Sequence, residues 1–148
     1  MKKTLIVFSS LLVLLSACDK NNNKNTSTTY TINASMAGSQ EVPAVSTSGT
    51  GNVTGTYDAA TNTLTYSVTW SGLTTAATMA HFHGPAAAGT NAAVIVPFTI
   101  NANGTSANGT TTLTDAQETD MLAGKWYSNV HTSTNPGGEI RGQVTATQ

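Results

Sequence analysis

From Tyr30 onward the chain alternates apolar and polar residues one by one: Tyr30, Ile32, Ala34 and Met36 are separated by single polar positions. Val53 and Tyr57 continue the pattern, and Leu64, Tyr66, Val68 and Trp70 in LTYSVTW show it most clearly. A repeat of two, rather than 3.6, predicts strands with one buried face. Further strands are predicted at Thr78 to His83, Val94 to Ile100, Gly109 to Leu113, Trp126 to Thr132 and Glu139 to Thr145. Asp58 and Asn62 suit a hairpin turn between the second and third runs; Asn103-Gly104, Asn108-Gly109 and Asn135-Pro136-Gly137-Gly138 offer others. One segment breaks the alternation. In TDAQETDMLAG, Thr114 is placed as an N-cap with Gln117 three residues on, acidic residues follow in the first turn and Gly124 closes, predicting a short helix from Asp115 to Ala123. The expected fold is all-β: an antiparallel Greek-key sandwich or barrel of about seven to eight strands with one short helix.

The start of the chain follows a different rule. Lys2 and Lys3 precede an apolar run from Leu5 to Leu15, too short to span a bilayer comfortably, which reads as a secretory signal peptide over residues 1–17. It ends in Leu15-Ser16-Ala17-Cys18, which resembles the lipobox of bacterial lipoproteins. That resemblance implies cleavage before Cys18, a lipid (palmitate) on its thiol, and a protein held on a membrane of the bacterial cell envelope, outside the cytoplasm. Cys18 is the one cysteine of the 148 residues, so an intramolecular disulfide is excluded. Residues 18–29, rich in Asn, Lys, Ser and Thr, have no apolar side chain to bury after the cysteine and form a polar tether. Residues 30–148 have the length of one domain.

Charge narrows the partners. Without Lys2 and Lys3 the chain has four basic and seven acidic residues, a formal charge of −3, and no basic cluster for nucleic acid. Charged residues make up only 9% of the chain, so Thr, Ser and Asn must solvate most of its surface. An envelope protein or a glycan is the macromolecular partner compatible with that surface. No G-x-S-x-G setting marks a nucleophilic serine, and GTGNVTG lacks the spacing and the following helix of a dinucleotide site. Trp70 and Trp126 are expected to pack in the core.

The candidate chemistry lies in the three histidines. Residues i and i+2 of a strand share a face, so His81 and His83 in MAHFHGP project together while Ala80 and Phe82 point the other way. In WYSNVHT, Tyr127, Asn129 and His131 share one face and Trp126, Ser128 and Val130 the other. If these strands are neighbours, three imidazoles converge. Three neutral imidazoles with one open position suit Zn(II) or Cu(II). The alternative is that His81 and His83 flank a loop mouth, bonded to backbone, with His131 elsewhere. Glu41 or Glu139 is a candidate carboxylate for orienting an imidazole.

Three blocks, GSQEVPAVSTSGTG (Gly38 to Gly51), MAHFHGPAAAGTNAAVIVPF (Met79 to Phe98) and WYSNVHTSTNPGGEIRGQV (Trp126 to Val144), together resemble the CHRD domain, a family named after the animal protein chordin. The resemblance covers nearly all of the domain and implies an all-β extracytoplasmic domain; it assigns no general activity. The residues that carry it are Glu41, Pro43, His81, His83, Gly84, Pro85, Asn129, His131, Glu139, Ile140, Arg141 and Gly142. All three histidines lie within its blocks, which implies a shared polar site around them. Glu139 and Arg141, two apart on one strand, are expected to form an ion pair that fixes the sheet edge.

Two readings follow. In one, a lipid-anchored binding domain coordinates one Cu or Zn ion through His81, His83 and His131, with Glu41, Asn129, Glu139 and Arg141 as supporting residues. In the other, the same histidines serve a redox or hydrolytic metalloenzyme, since an H-x-H strand and a later lone histidine resemble part of the copper site of copper-zinc superoxide dismutases. That family also needs a fourth copper-binding histidine, a zinc site with an aspartate and a disulfide. This chain has neither the histidine nor the second cysteine. No catalytic residue is assigned, and the binding reading is favoured.

Overall fold

A computed structural model describes residues 28–148; the expected signal peptide, Cys18 and nearly all of the tether lie outside the described residues. The described chain folds into nine strands, β1 (Thr29–Ala37), β2 (Thr50–Asp58), β3 (Thr63–Ser71), β4 (Ala77–His83), β5 (Val94–Pro97), β6 (Ser106–Thr112), β7 (Tyr127–Thr132), β8 (Ile140–Gln143) and β9 (Thr145–Thr147), with helix α1 (Asp115–Leu122) between β6 and β7. They form one antiparallel sheet in the order β5-β4-β7-β8-β1-β2-β3-β6, curled into a half-barrel, with β9 beside β8 along the same edge of β1. Three consecutive strands, β1 to β3, with β8 returning beside the first, give the Greek-key order.

The inside of the curl is the core. β3 buries Leu64, Tyr66, Val68 and Trp70 and exposes the residues between them, as the alternation predicts. Ile32, Val53, Tyr57, Phe82, Trp126, Val130 and Ile140 complete the cluster, with Phe82 edge-on to Tyr66 (5.2 Å) and Phe98 (4.7 Å). Both tryptophans are buried here; Trp70 also donates from Nε1 to the Gly104 carbonyl at 3.1 Å. Helix α1 is capped as its sequence requires: Gln117 N donates to Thr114 Oγ1 (3.2 Å) and Thr114 N to Gln117 Oε1 (2.9 Å). Met121 anchors it in the core, and Gly124 ends it at φ +69°.

Three local expectations need correction. Asn108-Gly109 is not a turn but the middle of β6, where Gly109 sits opposite Tyr66; a Cβ there would meet the tyrosine ring. The fifth strand stops at Pro97 rather than running to Ile100, which keeps only an isolated bridge to Ala107. The last predicted strand is broken at Val144, whose side chain turns into the core while β9 resumes the pairing with β1.

Strand β7 is unlike the rest, since all six of its residues are buried. Its inner face packs on the core. Three connections cover its outer face: the loop after β1 carrying Glu41, the loop after β4 carrying Thr90 to Ala92, and the turn after β7 carrying Pro136 and Gly138. They are tied together by Asn91 Nδ2 donating to Val42 O (3.1 Å) and Ala92 N donating to Tyr127 Oη (3.1 Å).

Candidate metal centre

Pairing of β4 with β7 places Met79 opposite His131, His81 opposite Asn129 and His83 opposite Tyr127, all on the same side of the sheet, with Met79 at its exposed border. One ring nitrogen from each of His81, His83 and His131 lies within 4.8 Å of the others. Ring centroids are 5.4 Å apart for His81 and His83, 5.1 Å for His81 and His131, and 6.3 Å for His83 and His131. A common ion 2.0 to 2.1 Å from each would hold the nitrogens about 3.3 to 3.6 Å apart, so side-chain rotations of about an ångström close the site.

Each of two rings is oriented by a backbone oxygen. His83 Nδ1 lies 3.0 Å from the Ala92 carbonyl and His131 Nδ1 3.0 Å from the Pro136 carbonyl. A carbonyl only accepts, so each Nδ1 carries the proton and each Nε2 keeps its lone pair free. Those Nε2 atoms, with His81 Nδ1, are buried and have no hydrogen-bond partner. Six buried side-chain polar atoms lack a partner among the described residues; these three and Asn129 Oδ1 are four of them, on one face of two adjacent strands. Buried polar groups are nearly always paired. A buried, unpartnered nitrogen on each of three neighbouring rings is a donor set that fits a metal ion.

Around the histidines is a buried polar frame. The His83 ring stacks parallel on Tyr127 at 4.7 Å, and the Arg141 guanidinium lies over the same tyrosine ring at 3.4 Å. Arg141, 1% exposed, donates to Asn91 Oδ1 (3.0 Å) and the Thr90 carbonyl (2.7 Å), holding the loop after β4 in place. Asn129 Nδ2 donates to Glu41 Oε1 at 2.7 Å. Gly138, at φ +129°, lies directly over that pair; a Cβ there would strike Asn129 Nδ2 and Glu41 Oε1.

Burial sets the charge states. It lowers all three imidazoles: His81 to about 4, helped by His131 and His83; His83 despite its bond to Ala92; and His131 despite its bond to Pro136. At neutral pH the three are uncharged, the form in which imidazole ligates. Burial also pushes Glu41 up to about 7, against the opposing pull of Arg141 and Asn129.

The sequence-derived candidates divide into two groups. His81, His83, His131, Asn129, Arg141 and Glu41 share the covered face or its frame. Glu139 lies elsewhere, in a clasp of its own: its carboxylate accepts from Thr47 Oγ1 (2.7 Å), Thr74 N (2.8 Å), Thr74 Oγ1 (2.7 Å) and Thr132 Oγ1 (2.8 Å). Burial alone would raise its pKa; the donors outweigh burial and hold it at about 2. The expected Glu139–Arg141 ion pair is therefore replaced by separate partners, because adjacent loops reach each group first. Nor does a carboxylate orient an imidazole; backbone carbonyls do so. Tyr127, Thr90 and Asn91 were not singled out as site residues. Tyr127 could have been found by its shared face with Asn129 and His131, whereas Thr90 and Asn91 arrive only through loop folding.

A family model, the CHRD domain, matches residues 32–144, from within β1 to the end of β8 and across the whole of this centre. No curated protein and no solved structure matches the chain.

Proposed function

Since the chain belongs to the CHRD domain family, we propose that it is a binding domain that holds one copper or zinc ion through His81, His83 and His131. The observation that carries this reading is the approach of three histidines, one nitrogen of each within 4.8 Å of the others, with a buried unpartnered nitrogen on every ring. Backbone carbonyls fix two of the tautomers, burial keeps all three rings neutral, and the frame of Tyr127, Arg141, Asn129 and Glu41 holds the strands and loops around them. When bound, the ion would take three imidazole nitrogens and have a fourth position for one further donor.

The second part of the proposal is location. The lipobox-like Leu15 to Cys18 and the polar tether support attachment through a lipid on Cys18, outside the cytoplasm, on the bacterial cell envelope. An envelope protein or a glycan is then the macromolecular partner available to the domain. Radiolabelled palmitate should be incorporated by the wild-type chain and not by Cys18→Ser.

The metal assignment is tested by titrating the chain, purified without a polyhistidine tag, with Cu(II) and Zn(II) beside a His81→Ala/His83→Ala variant. One tightly bound ion per chain, lost in the variant, is the expected result. Binding equal to that of the variant would remove the metal from the reading and leave a non-metal ligand for the covered face.

A further inference from the structure

Among the described residues two large apolar side chains are exposed, Met79 at 49% and Val94 at 48%. Both border the histidines. Val94 is the register partner of His83 on β5, and Met79 the register partner of His131 on β7. Packing does not explain Met79. The core side of β4 is filled by Ala80 and Phe82, and Met79 belongs to no part of the core cluster.

Chemistry does explain it. Met79 stands directly opposite His131, where facing Cβ atoms lie about 4.5 to 5.5 Å apart. It also precedes His81 by two residues on the same face of β4. Its thioether, on an unbranched side chain with three rotatable bonds, can swing over the space that the three nitrogens enclose.

We propose that Met79 supplies the fourth ligand of the centre, and that three imidazoles with one thioether build the site for Cu(I) rather than for Zn(II). The proposal rests on the metal-binding reading above and names its metal. Every donor in the set is uncharged, so the buried ion keeps its full charge. Arg141, itself buried, adds a positive charge to the same frame, near enough to His83 to be felt by its ring. A monovalent ion is less costly to bury there than a divalent one. Sulfur selects Cu(I), whereas zinc in such a set would take a water in the fourth position. Asn129 Oδ1, an unpartnered atom on the strand that carries His131, is the natural acceptor for that water.

The test is a pair of affinities: Cu(I), by anaerobic competition with a chromophoric chelator, and Zn(II), by the same method. Both are measured on the full chain in a Cys18→Ser background, so that no thiol contributes. Met79→Leu should weaken Cu(I) binding by more than the roughly 10- to 100-fold that loss of a mere neighbour of a ligand costs, and should leave Zn(II) unchanged. Val94→Ala, which trims the other border residue, should change neither. X-ray absorption of the Cu(I)-loaded chain should show a sulfur neighbour that Met79→Leu removes. Equal Cu(I) affinities with no sulfur neighbour, while His81→Ala/His83→Ala abolishes binding, would overturn Met79 alone. If the double histidine variant binds both ions as well as the parent does, the metal-binding reading fails and takes this inference with it.

Discussion

Strands β3 and β7 lie in one sheet and treat their two faces in opposite ways. β3 buries Leu64, Tyr66, Val68 and Trp70 and leaves Thr65, Ser67 and Thr69 in water, whereas β7 buries Ser128 and Val130 on one side and Tyr127, Asn129 and His131 on the other. A strand of the first kind needs only apolar contact on its inner face, because water satisfies the hydroxyls outside. The second kind requires a partner for every polar atom that it takes out of water. Most receive one here, from the Ala92 and Pro136 backbone, Glu41 or Glu139. Apart from Ser128 Oγ on the core side, the β7 side-chain atoms that do not receive one lie on the histidine face, and the difference between the strands thereby separates scaffold from site.

The comparison breaks most visibly at Phe82, the core residue between His81 and His83. Phe82→Ala removes contacts to Tyr66, Phe98 and Trp126 and should cost about 3 to 5 kcal/mol in urea unfolding followed by tryptophan fluorescence. A cost below about 1 kcal/mol would mean that the covered face, not the core, holds β4 in place.

Next in size is Glu139. Its folded pKa lies near 2, below the ordinary 4.5, so its contribution is present above pH 4.5 and is lost as pH falls from 4.5 towards 2. A shift of that size corresponds to about 3 kcal/mol. Glu139→Gln should therefore be less stable than the parent at pH 7 by an amount of that order, and nearly equal to it at pH 2. A difference independent of pH would show that the threonine clasp does not select the ionised form.

Glu41 has the opposite sign. With a folded pKa near 7, its protonated form is favoured, so its contribution is fully present below pH 4.5 and is lost as pH rises through 7. Relative to the metal-free parent, Glu41→Gln should gain up to about 3 kcal/mol between pH 4.5 and 8. Opposite pH slopes from two buried glutamates would sharpen the contrast: one carboxylate is held by four donor groups, and the other takes a side-chain hydrogen bond from Asn129 in a desolvated place.

Much of the scaffold was legible because it obeys one rule, alternation, and because turns and caps use distinctive residues: Asp58 and Asn62, Thr114 with Gln117, Asn135 to Gly138. The shared face of His81 and His83 followed from the same rule, as did that of Asn129 and His131. Alternation failed where tertiary packing decides: at Gly109, which is a strand residue because Tyr66 needs the space, and at Val144, which interrupts pairing to fill the core. It could not foretell the cover over β7, since Thr90, Asn91 and Pro136 take part through their backbone positions or short loop contacts rather than through any pattern. The partners of Glu139 and Arg141 were misjudged for the same reason.

The smallest effect on stability is expected where the effect on function is largest. His81 Nδ1 is buried without a partner, and protonation of the ring is opposed by burial and by two neighbouring imidazoles. Its folded pKa near 4 lies below the ordinary 6.5, so the metal-free chain loses stability as pH falls from 6.5 towards 4. His81→Leu removes the unpartnered nitrogen and that pH dependence together. In the absence of metal the variant should match the parent at pH 7.5 within about 1 kcal/mol, or exceed it, and should exceed it further at pH 5. Added Cu(I) or Zn(II) should then stabilise the parent and not the variant, because an ion that binds only the folded chain raises its stability in proportion to the logarithm of one plus the ratio of free ion to Kd. A large metal-free loss in His81→Leu would place His81 among the structural residues of β4. Little loss without metal, together with loss of the metal effect, is the signature of a residue kept for its ligand, since its apolar replacement would serve the fold at least as well.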